Sequence, residues 1–129
     1  MPATHPFDLT GRLALVTGGG SGLGLAIARG LAAAGAGIVL NGRNRAKLEA
    51  AAAVLERDGA NRSVEVAPFD VADADAVAAS IAAIERDFGA LDIVVNNAAT
   101  NKRAPLDEFT TDEWHKERVW LGAGCWWRR

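Results

Sequence analysis

Residues 17 to 24 read Thr-Gly-Gly-Gly-Ser-Gly-Leu-Gly, the strongest chemical signal in the chain. The run follows an apolar segment, Leu13 to Thr17, and precedes residues at helical spacing, which puts it at a strand-to-helix junction. Glycines there clear side chains from the backbone, so that N–H groups can close on a phosphate at the positive end of the helix. A plain turn would use such a run equally well, and spacing narrows the choice. A Walker loop needs Lys and then Ser or Thr directly after its last glycine, whereas Gly24 is followed by Leu25 and Ala26, which disfavours triphosphate hydrolysis. G-x-G-x-x-G also fails, because Leu23 stands three residues after Gly20 and Ile27 three after Gly24. The register that fits is T-G-x-x-x-G-x-G, with Thr17, Gly18, Gly22 and Gly24 in place.

The elements that must position this loop alternate in period. Leu23, Ile27 and Leu31 recur at helical spacing as far as Gly35, and Ile38-Val39-Leu40 is a second short apolar run. Asn44 is a candidate N-cap for a helix with Leu48, Ala51, Ala52 and Leu55 on one face, ended by Gly59. Val64, Val66 and Phe69 begin a third strand. Val77, Ile81, Ile84 and Phe88 then form an amphipathic helix with Asp73 and Asp75 at its start and Gly89 past its end. Leu91 to Val95 is a fourth strand, and Thr110-Thr111-Asp112-Glu113 has capping-box spacing for one more helix. Strands alternating with helices predict a single α/β domain with a parallel sheet.

Two further motifs stand after strands: Asp70-Val71 after the third, and Asn96-Asn97-Ala98-Ala99 after the fourth. With the glycine register they resemble the short-chain dehydrogenase/reductase family over residues 8 to about 118, Ala99 standing where the family has Gly. The resemblance implies a Rossmann-like three-layer αβα fold with strand order 3-2-1-4, and NAD(P)-dependent hydride transfer between alcohol and carbonyl. It implies that Gly18, Gly22 and Gly24 admit the pyrophosphate, with the Leu23 N–H facing it. Asp70 would accept from the adenine amino group with the Val71 N–H beside the ring, Asn96 would tie neighbouring strands, and Ala98 would line the nicotinamide ribose. Leu40-Asn41-Gly42-Arg43-Asn44 and Arg103-Ala104-Pro105-Leu106 resemble most the family's sugar reductases.

The second strand ends in Asn41-Gly42-Arg43, without the acid that would hold a ribose 2′-hydroxyl and repel a 2′-phosphate. Arg43 therefore favours NADP, although it equally suits a solvated helix start. Ser21 stands where NADP-using members of the family often carry a base. The expectation is NADP, with NAD as the alternative.

Family members are nearly twice as long and place a catalytic Ser and a Tyr-x-x-x-Lys pair in the part that follows. The pair supplies proton transfer to the substrate oxygen. The 129 residues contain no Tyr, so no catalytic residue is assigned. Trp120, Cys125, Trp126, Trp127 and the final two arginines lie in a segment, 119 to 129, that breaks with the family pattern and reads as the product of a frameshift or truncation. A chain of four such strands is expected to leave its fourth strand as an apolar edge prone to self-association.

Composition excludes other classes. With 50% hydrophobic and 23% charged residues and a net charge of −2, the chain suits one soluble domain with a real core and offers no basic footprint for nucleic acid. No apolar run approaches a membrane span, and residues 1 to 12 lack a secretory signal, which together predict a cytoplasmic protein. His5 and His115 have no ligand-spaced partners for a metal, and Cys125 is an incidental thiol. Asn101, Lys102 and Arg103 read as an exposed polar loop.

Overall fold

The computed structural model describes residues 6–60, 64–99, 105–108 and 110–113. Four strands, β1 (Leu13–Val16), β2 (Gly37–Gly42), β3 (Val64–Pro68) and β4 (Ile93–Val95), form one parallel sheet in the order β3-β2-β1-β4. Between them run α1 (Gly22–Ala33), α2 (Arg45–Arg57) and α3 (Ala74–Phe88), and a short 3-10 turn, η1, covers Leu106–Glu108. This is the Rossmann-like α/β arrangement that the alternating periods predict, with strand order 3-2-1-4 as expected.

Alternate residues of each strand serve different layers. Ala14, Val16, Ile38, Leu40 and Val64 pack with Ala28 and Ala32 of α1 and Leu48, Ala51, Ala52 and Leu55 of α2 on one side of the sheet. Leu15 and Val39 meet Ile84 of α3 on the other. The central strands β1 and β2 are buried almost throughout, whereas all three residues of β4 are only half-buried.

Several local details are set by packing rather than by spacing. In α1 the buried face is not the large-residue stripe of Leu23, Ile27 and Leu31 but Gly24, Ala28 and Ala32. Leu23 is 70% exposed. The reason is proximity: a Cβ at Gly24 would run into the Gly18 carbonyl oxygen and lie 2.6 Å from Asn97 Nδ2, so only small residues let α1 sit this close. The fourth strand begins at Ile93, and ahead of it Asp92 ties to β1 twice, its carboxylate accepting from the Leu13 N–H at 2.9 Å and its own N–H donating to the Leu13 carbonyl at 3.0 Å. Phe69 falls just past β3, buried, with its N–H donating to the Gly42 carbonyl at 3.0 Å. Phe88, the last member of the α3 stripe, is 45% exposed.

The Thr110 capping box is formed: the Thr110 N–H donates to Glu113 Oε2 at 3.0 Å and the Glu113 N–H to Thr110 Oγ1 at 3.2 Å. His5, Asn101, Lys102, Arg103, His115, Cys125 and the segment 119–129 lie outside the described residues. Among the described residues no helix is long and apolar enough to cross a membrane, and no three metal-ligating side chains cluster.

Candidate nucleotide-binding site

All three helices start at the carboxyl end of the sheet, where open parallel sheets hold their ligands. A hollow of about 350 Å³ opens there, walled by residues that include Gly18, Ser21, Asn41, Arg43, Val71 and Ala98. A second hollow of about 240 Å³ shares Gly18, Ser21, Gly42, Arg43 and Lys47 with it and extends to Gly20, Asn44 and Leu48. The two form one groove across the ends of β1 and β2.

The glycine loop forms one lip. Gly18 and Gly22 adopt φ of +63° and +57°, left-handed conformations that side chains rarely enter, and this makes the chain turn sharply into α1. At Gly18 a Cβ would also lie 3.0 Å from Ala98 Cα, so the loop presses on the segment after β4. Helix α1 opens on Ser21, whose side chain makes no capping hydrogen bond. Helix starts left without a side-chain cap keep N–H groups and dipole available to an anion. A narrow glycine loop, an uncapped helix start and a groove beside them fit a phosphate-linked dinucleotide lying across the strand ends.

Several of the expected site residues make hydrogen bonds within the fold. Thr17 is buried; its hydroxyl donates to the Val95 carbonyl at 3.2 Å and accepts from Asn97 N and Ala98 N, each at 3.0 Å. One donor and two lone pairs are thereby used, and none is left for a ligand. Thr17 is thus a positioning residue that locks β1 to the segment after β4. Next to Asn96, Asn97 also ties the strand ends: its Nδ2 donates to the carbonyls of Thr17 at 3.2 Å and Gly18 at 3.3 Å. Asn96 itself is exposed at the end of β4.

Asn41 is 1% exposed, and its Nδ2 bridges the carbonyls of Ala67 at 3.1 Å and Phe69 at 3.0 Å, fixing the ends of β2 and β3 while forming part of the groove wall. Asp70 stands outside that wall. One carboxylate oxygen accepts from the Ala72 N–H at 2.9 Å, a local turn that orders the start of the α3 unit. Val71 is buried and lines the groove, as do Ala98 and Ala99. Gly22 and Leu23 stand at the first turn of α1, and Gly24 is buried behind them.

Sequence reasoning left out Lys47, Asn97 and Phe69, all of which wall the groove. Asn97 was legible as the second Asn of its motif. Lys47 carries a signal too, three residues past the N-cap Asn44 on the first turn of α2.

Sheet order, crossover pattern and glycine loop define the class: a Rossmann-like α/β domain built to hold a nucleotide at its strand ends. The chain belongs to the short chain dehydrogenase family, whose model matches residues 12–118. Gluconate 5-dehydrogenase of Gluconobacter oxydans is 50% identical over 113 residues, 86% of this chain and 43% of that protein. A gluconate 5-dehydrogenase structure from Burkholderia cenocepacia, in complex with NADP and tartrate, superposes with a TM-score of 0.82 at 45% identity, covering 93% of this chain and 48% of that one. L-sorbose reductase from Gluconobacter frateurii, complexed with NADPH and L-sorbose, gives 0.79 at 34% identity over 93% of this chain and 48% of its own. The chain thus spans less than half the length of these relatives.

Proposed function

We propose that these residues form the cofactor-binding part of an NAD(P)-dependent oxidoreductase acting on an alcohol or carbonyl, and that NADP is the preferred dinucleotide. The observation that carries this is the groove across the ends of β1 and β2, with the uncapped Ser21 start of α1 on one side and Arg43 on the other. A bound nicotinamide would accept or release the hydride. The backbone N–H groups at Gly22 and Leu23 hold the pyrophosphate, Gly18 admits it by having no side chain, and Gly24 lets α1 pack close behind the loop. Arg43 and the Ser21 hydroxyl meet a 2′-phosphate where a carboxylate would repel it. The adenine lies against Val71 with Asp70 at its amino edge, and Ala98 and Ala99 face the nicotinamide ribose.

The relatives suggest the substrate class: gluconate and L-sorbose appear in their names, so a polyhydroxy acid or sugar ketone is the substrate of the lineage. Proton transfer is assigned to none of the 129 residues, because the sequence contains no Tyr. The chain on its own therefore binds cofactor without turning substrate over. β4 is the outer strand beside β1 among the described residues, and its half-buried Ile93, Val94 and Val95 favour association through that edge.

Thermal unfolding with added dinucleotide tests the binding reading. At a hundredfold excess over Kd, ligand should stabilise the chain by about 2.7 kcal/mol, with NADP effective at lower concentration than NAD. No shift with either would overturn it. Absorbance at the nicotinamide band with gluconate-type acids and keto sugars should stay flat, and turnover would overturn the assignment of binding without catalysis.

A further inference from the structure

We propose that Lys47 is a second specificity-determining cation of this groove, its ammonium meeting the 2′-phosphate of a bound adenine dinucleotide alongside Arg43. The inference rests on the nucleotide reading above and adds a residue to it. Lys47 is the third residue of α2, and its own N–H is taken by Asn44 Oδ1 at 3.1 Å, which fixes the backbone from which the side chain departs. The stem runs back along the glycine loop: a Cβ at Gly20 would lie 3.6 Å from Lys47 Cγ and 3.8 Å from Cδ. This places the side chain over the loop, and Lys47 accordingly lines both hollows together with Ser21 and Arg43.

Its neighbour behaves differently. Arg45, two residues earlier on the same turn, pairs with Glu49 at 3.7 Å along the helix surface. Lys47 has no carboxylate within ion-pair distance among the described residues, and its charge is therefore not committed to a partner there. The smaller hollow is bounded by Gly42, Arg43 and Asn44 at the end of β2, where folds of this kind hold the adenosine ribose hydroxyls. A flexible ammonium serves there as a point charge for phosphate, complementing the planar guanidinium of Arg43.

Titration calorimetry on the full 129-residue chain tests this with NADP and NAD against wild type, Lys47→Met, Lys47→Arg and Arg43→Met. Lys47→Met keeps an unbranched apolar stem on Gly20 and removes only the charge, so the fold is retained. It should weaken NADP about tenfold or more while NAD stays within about twofold, and Lys47→Arg should restore most of the loss. The NADP penalty should shrink as salt is raised. Unchanged NADP affinity in Lys47→Met, or equal weakening of both dinucleotides, overturns the assignment. If Arg43→Met weakens NADP selectively and Lys47→Met does not, the nucleotide reading stands and the role of Lys47 falls. Wild type that binds neither dinucleotide overturns both.

Discussion

Helices α2 and α3 open on side chains that cap them, Asn44 accepting from the Lys47 N–H and Asp73 from the Ala76 N–H, each at 3.1 Å. Helix α1 opens on Ser21, a residue equally able to cap, whose side chain makes no such bond. All three starts lie at the same end of the sheet. Helices α2 and α3 satisfy their first turn with a side chain, whereas α1 is held in place by glycine conformation and close packing, and its first turn carries no side-chain cap. The opposite end of the sheet shows the same economy as α2 and α3. There Asp92 accepts from the Leu13 N–H and pairs with Arg12 at 3.3 Å, while Asp8 accepts from the Thr10 N–H and hydroxyl.

If packing rather than capping fixes α1, the largest effect should come from Gly24. Gly24→Val would force a side chain into the Gly18 carbonyl and the Asn97 amide, destabilising the chain by about 3 kcal/mol or more, measured by urea unfolding. A near-normal midpoint would break the contrast between the helices. Thr17→Val, nearly isosteric, leaves the part-buried Ala98 N–H without its acceptor and the Asn97 N–H with only the Val95 carbonyl, and should cost about 1–2 kcal/mol by the same measurement. A loss below about 0.5 kcal/mol would return Thr17 to the list of ligand contacts.

The caps sharpen the comparison. Asn44→Ala and Asp73→Ala should each cost about 1 kcal/mol without ligand, while Ser21→Ala should stay within about 0.5 kcal/mol. Equal losses at all three positions would show that α1 is capped like the others. The smallest effect concerns the closed end of the sheet. The Leu13 N–H donating to Asp92, with Arg12 beside it, holds that carboxyl below its ordinary value against a smaller opposing effect of desolvation. A group whose folded value is depressed stabilises the fold fully above the ordinary carboxylate value and loses that contribution as pH falls through the lowered one. Asp92→Asn should therefore lower stability slightly near neutrality and flatten the acid limb below about pH 4, where the two proteins converge.

Much of this was legible in the residues. The glycine register marked the strand-to-helix junction at 17–24, the strand and helix periods marked the alternation, and the motifs after β3 and β4 marked the family. What single-residue spacing did not disclose was the division of labour within the motifs. Thr17 looks like a loop hydroxyl until its three hydrogen-bonding capacities are seen to be spent on the segment after β4. Leu23, Ile27 and Leu31 keep helical spacing, but periodicity reports spacing and not distance, and the close approach of α1 to Gly18 requires Gly24 on a buried face it shares with Ala28 and Ala32. Lys47 sat unremarked because a lysine on a first helical turn is ordinarily solvated, and only the path of its stem over Gly20 marks it.

A dinucleotide lying across the uncapped start of α1 and the end of β2 should be felt at both places at once. Backbone amide NMR during NADP titration tests it most directly on the intact chain. The amide signals of Gly18 to Leu23 and Gly42 to Lys47 should shift together and saturably, while those of Asp8 to Leu13 at the far end of the sheet stay in place. Shifts confined to the far end, or no saturable change at 18–23 and 42–47, would contradict it.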